Sequence, residues 1–212
     1  MSKHKLVFDD NIKRIDSLCR LYKDLKTDKY KASGENFYLT DILRAATVLL
    51  HAAFEEYFRK TLIDWLPKKA DEEDLKKIPI SLYAGKKAEK LYLNDLAKYR
   101  NKSIDDVINE SIIEDTKLKS FGSQQVIIQE CKRIGIEGLA GKTLSTINDA
   151  VQRRHKIVHE ADMTKDEEKG STTNTGIQLS TVEKWKSAYQ KLVDFIEENI
   201  ETWEKEDATT DC

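Results

Sequence analysis

Arg153-Arg154-His155-Lys156-Ile157-Val158-His159-Glu160-Ala161-Asp162 closes a stretch in which Leu144, Ile147, Val151 and Val158 recur at spacings of three, four and seven. That period puts them on one stripe of an α-helix. Position 154 completes the heptad, and it holds an arginine where the pattern calls for an apolar side chain. A guanidinium on a packing seam must be paired, or face a polar cleft or a partner subunit. The bland alternative is a structural ion pair, with His155 and His159 as ordinary surface histidines. The clustering favours a site, because Arg154, His155 and His159 together offer phosphate-binding and proton-transferring groups. A break in local consistency is also where function is usually found.

Outward from this helix the chain reads as all-α. Phe8 to about Lys26 predicts a first helix, with Ile12, Ile15, Leu18, Cys19, Tyr22 and Leu25 on one face. Thr40 or Asp41 caps a second, which ends near Leu66 ahead of Pro67. Its apolar residues, from Ile42 to Leu62, cover more than one face and predict the central core helix. Lys68 to Lys77 reads as a loop or short helix. Ala84 to Tyr99 suits a helix, and Ser103 caps another from Ile104 to about Ile113. Ser123 caps Gln124 to Ile134, with Gly135 as the stop. Thr143 or Ser145 opens the helix of the cluster, which is expected to reach about Met163. Thr164 to Leu179, containing Gly170-Ser171-Thr172-Thr173-Asn174-Thr175-Gly176, reads as a flexible loop. Ser180 and Glu183 form a capping box for a last helix running to about Trp203. An acidic, fraying tail, 204–212, follows. There is no internal repeat. Residues 1–212 read as one domain, in which 1–39 are an N-terminal helix and its connection.

Composition supports this reading. The chain has 212 residues, 35% of them charged, with 8 Gly and 2 Pro. That mix favours long charge-laced helices over sheets and tight turns. The net charge of −2 excludes a globally basic nucleic-acid binder, so any anion-binding surface must be local. Cys19, Cys131 and Cys212 are odd in number and form no C-x-x-C pair, which predicts reduced thiols and a cytoplasmic setting. The N-terminus lacks a signal peptide's apolar core. The longest uncharged apolar run, Ala45 to Phe54, is roughly half a membrane span, so no membrane association is expected.

Lys76 to Lys102 carries eight Lys/Arg against Glu89 and Asp95, with Tyr83, Tyr92 and Tyr99 interleaved. It reads as a solvated face, or as a track for single-stranded RNA on which tyrosines stack bases. Lys86, Lys87 and Lys90 are its candidate contacts, together with Arg153 and Lys156 beside the cluster.

Gly141-Lys142-Thr143 lacks the upstream glycine of a nucleotide-binding loop. His155 and His159 at i, i+4 could share a metal, but Lys156 stands where a zinc-protease motif has its glutamate, and no third ligand is evident. No metal or cofactor is expected. Phosphodiester chemistry suits the set better. Histidine exchanges protons near neutral pH, and arginine binds phosphoryl oxygens through two donors. One geometric difficulty stands: positions five apart point about 140° from each other on an ideal helix. Either the helix end unwinds, the arginine reaches round, or a second copy across a two-fold axis completes the site.

Arg154 to His159 matches the R-x-x-x-x-H pattern, with a polar residue after the arginine, and the sequence here resembles HEPN-domain proteins, most closely their RiboL-PSP branch. The likeness also involves Ala52-Ala53-Phe54-Glu55-Glu56-Tyr57, Leu93-Asn94-Asp95-Leu96 through Ser103-Ile104-Asp105-Asp106-Val107-Ile108, Ser120-Phe121 and Arg133-Ile134-Gly135-Ile136, and spans about 40–205. The resemblance implies an up-and-down helical bundle with additional helices, which dimerises and builds its site at the interface. It implies a metal-independent endoribonuclease of a toxin–antitoxin or antiviral system, leaving a 2′,3′-cyclic phosphate and a 5′-hydroxyl. Arg154 would bind phosphate, His159 would move protons and His155 would assist. RNA, a second copy, and an antitoxin or defence partner protein are the implied partners. The family also has inactive members, so two alternatives stand beside this: a non-catalytic module binding RNA, nucleotide or protein, and a helical dimerisation scaffold.

Overall fold

The computed structural model describes residues 1–26, 36–80, 93, 97–166 and 171–210. The described elements are helices α1 (Lys3–Leu25), α2 (Asn36–Lys69), α3 (Glu72–Leu75), α4 (Ile104–Leu118), α5 (Gln124–Arg133), α6 (Gly141–His159) and α7 (Leu179–Thr210). A short 3-10 turn covers Ala97–Tyr99, and two strands, β1 (Met163–Asp166) and β2 (Ser171–Asn174), lie between α6 and α7. The fold is all-α with one small hairpin. Of the helix expected over Ala84 to Tyr99, only Leu93 and Ala97–Tyr99 are described. No described helix is long and apolar enough to cross a membrane.

Several ends differ from the sequence reading. α1 starts five residues earlier than Phe8, because Ser2 caps it by accepting from the Lys5 amide at 3.1 Å. α2 begins before Thr40 and runs through Pro67. Pro67 has no amide to donate to the Ile63 carbonyl, so α2 gives up one backbone bond two residues before its end. Ser103 and Asp106 do form the capping box expected for α4. Ser180 does not cap α7, which starts at Leu179. The segment 164–179 is not a loop throughout: β1 and β2 pair antiparallel from Met163 with Asn174 to Asp166 with Ser171.

The chain forms two compact units. The first comprises residues 1–57, 122–124 and 138–212. In it α6 packs on α7, and α1 also lies against α7. Its core holds Phe8, Ile12 and Ile15 of α1, Leu43, Leu50 and Phe54 of α2, Leu144 and Ile147 of α6, and Val182, Tyr189, Leu192 and Ile196 of α7. Each such side chain contributes about 1.5–3 kcal/mol on burial. Tyr57 donates to the buried Glu197 at 3.0 Å, and the Ser2 amide and hydroxyl reach the same carboxylate. That carboxylate ties the chain's start to α7.

The second unit comprises residues 58–121 and 125–137. Phe58, Leu62, Leu66, Ile112, Phe121, Ile127 and Ile134 fill it. Arg59 donates to the Thr116 and Lys119 carbonyls at the end of α4, a charged C-terminal cap. Gly135 takes φ 78° directly after α5, the left-handed stop expected of it. A cavity of about 430 Å³ in this unit is lined by Leu75, Ile78, Tyr99, Ile104, Val107 and Ile112 among others, and contains none of the motif residues.

Candidate active site

The first unit carries the cluster on α6. This helix stays regular to His159 and ends there, four residues before the expected Met163. No glycine stops it. Ala161 and Asp162 both adopt left-handed backbone, at φ 48° and 57°, and the amides of Glu160 and Asp162 both donate to the Lys156 carbonyl. Left-handed conformation costs a non-glycine residue roughly 1–2 kcal/mol. Ala161→Gly is therefore expected to raise stability by about 1 kcal/mol, which is about 2–4 °C in Tm for a chain of this size. Thermal unfolding checks this, and a lower Tm would contradict the left-handed assignment.

What imposes the stop is a tertiary contact. The Asp162 side chain is completely buried, and its Oδ2 accepts from Arg44 Nε and from Arg153 Nη2, each at 2.7 Å. Arg44, itself 7% exposed, also donates to Thr40 Oγ1, Asp41 Oδ1 and the Thr175 carbonyl. Arg153 Nη2 donates to the carbonyls of Thr175 and Gly176. The Thr175 amide closes the circuit on the Asp162 carbonyl at 2.9 Å. Two arginines and one aspartate thus join α2, the end of α6 and the base of the hairpin.

Arg154 leaves α6 about 100° round from Arg153. Its Nε is buried, with no hydrogen-bond partner among the described residues. Its charge acts on Tyr189, whose phenol is pushed up chiefly by burial and further by Glu55, with Arg154 opposing. The Tyr189 hydroxyl lies 2.8 Å from His51 Nδ1, and His51 Nε2 is 3.5 Å from Glu55 Oε1. His51 and Tyr189 thus form a buried polar pair within the apolar core.

The outer face of the last turn holds the histidines. His155 and His159 are exposed, with ring centroids 4.6 Å apart and planes 44° apart. Val158, expected on the buried stripe, is 47% exposed: burial along α6 ends at Val151. On an ideal helix Arg154, Val158, His155 and His159 span an arc of about 140° in that order. Since α6 does not unwind before His159, helical geometry brings His155 to His159 but directs Arg154 away from them.

The remaining candidates are placed as follows. Lys156 is exposed on the last turn. Arg153 is committed to Asp162 and the hairpin base. Lys86, Lys87 and Lys90 lie outside the described residues. At the described ends of that basic stretch three cations are paired: Lys76 with Glu73, Lys77 with Asp74 and Lys102 with Glu110. Among the described residues no group of three or more His, Cys, Asp or Glu could hold a metal. Cys19 and Cys131 are free and buried, and burial pushes the Cys131 thiol up to about 12, so it is no nucleophile.

The sequence reading missed Arg44, His51 and the anchoring role of Asp162. Arg44 interrupts the apolar run Ile42-Leu43-Arg44-Ala45-Ala46 just as Arg154 interrupts its own stripe, so the same signal was present.

The helical fold agrees with one family. The chain belongs to the RiboL-PSP-HEPN family, which it matches over residues 9–202. The match takes in most of α1, which lay outside the span of the sequence resemblance. No curated protein and no solved structure matches the chain.

Proposed function

We propose that the protein is a metal-independent endoribonuclease whose working groups are Arg154, His159 and His155, with a toxin or antiviral role. The observation that carries the reading is the exposed His155–His159 pair at the end of a helix that also bears the half-buried Arg154. One neutral imidazole takes the proton of the RNA 2′-hydroxyl as that oxygen attacks phosphorus. The phosphorane's charge is met by the Arg154 guanidinium. The bond to the 5′-oxygen then breaks, and a protonated imidazole gives that oxygen its proton. The products are a 2′,3′-cyclic phosphate and a 5′-hydroxyl. Pure protein incubated with RNA in EDTA is expected to yield those ends, and intact RNA over a range of sequences would overturn the reading in favour of a binding module.

The active form is a two-fold dimer with α6 facing α6. The arc separating Arg154 from His159 supports this, as does the exposed Val158 between them. Antiparallel α6 helices would bring Arg154 of one copy towards His159 of the other and cover Val158. Light scattering is expected to give twice the chain mass at micromolar concentration. A monomer that still cleaves RNA would refute the composite site.

A further inference from the structure

We propose that Arg153 is a positioning residue rather than an RNA contact: acting on Asp162 opposite Arg44, it holds the last turn of α6, and with it His159, in register. The inference rests on the ribonuclease reading above for its consequence, but not for its structural content.

Three observations carry it. Arg153 Nη2 reaches three acceptors at once, the Asp162 carboxylate and the carbonyls of Thr175 and Gly176, at 2.7, 2.6 and 3.1 Å. Its side chain is only 14% exposed, so little of the guanidinium remains for a ligand. Its target sits three residues beyond His159, and the Asp162 amide donates back into the turn that bears His159. A terminal helical turn ordinarily frays. This one is pinned by a buried ion pair to α2 and by backbone bonds to the hairpin base. Misplacement of a proton carrier by about 1 Å can cost on the order of 10²-fold in rate, so the pinning matters to chemistry.

The donors used also separate the two arginines. Among the described residues Arg153 makes its bonds from a single nitrogen, and an ammonium has three donors to offer. Arg44 uses Nε, Nη1 and Nη2 in different directions, which an ammonium cannot copy. Lysine should therefore replace Arg153 and fail to replace Arg44.

The experiment compares wild type, Arg153→Gln and Arg153→Lys. Positioning predicts that Arg153→Gln lowers kcat roughly 10- to 100-fold with KM within about twofold, and that Arg153→Lys restores most of kcat. A raised KM at unchanged kcat overturns the proposal and returns Arg153 to RNA binding. A second readout needs no cleavage. In the free protein Arg153→Gln should shift the imidazole resonances of His155 and His159 and speed amide exchange at Asp162, Met163 and Thr175 at least about tenfold. Unchanged resonances and exchange overturn the proposal even if the enzyme is active. Inactive wild-type protein would sink the ribonuclease reading alone, since this second readout still stands. Arg44 keeps Asp162 paired in these variants; should Arg153→Gln still be unstable, Arg153→Met, which retains the packed stem, gives the same comparison.

Discussion

His159→Ala is expected to abolish RNA cleavage while leaving RNA affinity within about twofold. The substitution removes a proton carrier whose contribution is roughly 10²- to 10⁴-fold, and it removes little charge. The side chain is exposed, so the fold should not suffer. Arg154→Ala should impair both cleavage and binding, because a guanidinium meets the phosphate in ground and transition states alike. Arg154→Lys should rescue only in part, since one ammonium cannot copy the planar two-pronged contact. Circular dichroism must accompany the arginine variants, because Arg154 Nε is buried. Cleavage by folded His159→Ala at the wild-type rate would remove the motif from the chemistry and leave a binding module.

Arg44→Met should give the largest loss of stability, about 1–3 kcal/mol, because the buried Asp162 carboxylate keeps only Arg153 and loses a charged donor. The hydroxyl of Thr40 and the carbonyl of Thr175 lose a donor in the same step. Urea unfolding of wild type and variant measures the difference. A loss below about 1 kcal/mol would place Arg44 among solvated surface pairs, where such small values are usual. Its 7% exposure argues against that class. Arg44→Lys should fall between the two, because it keeps a charge but not the directions of the bonds.

Much of the framework was legible because its causes are local. The stripe of α1 through Ile12, Ile15, Cys19 and Tyr22 is a matter of period, and those residues are buried. The Ser103 box of α4 and the Gly135 stop after α5 are decided within a few residues. The hairpin escaped notice because its strands are short and polar, four residues each, with no alternation to betray them. Val158 was misplaced on the core because a heptad count assumes that the neighbouring helix follows to the end. Burial on α6 stops at Val151, and the last turn lies outside the core.

The candidate site divides along the same line. The sequence by itself determined that Arg154, His155 and His159 share one helix end, and that His155 meets His159, because a single helical turn sets those relations. Only the tertiary structure decided which of the two neighbouring arginines is tied up, and where α6 stops. Both answers depend on Arg44 meeting Asp162 from 118 residues away. Neither residue's local pattern contains that contact. A buried ion pair forms only when the fold excludes water from both partners, and it then overrides the helical preference of the residues around it.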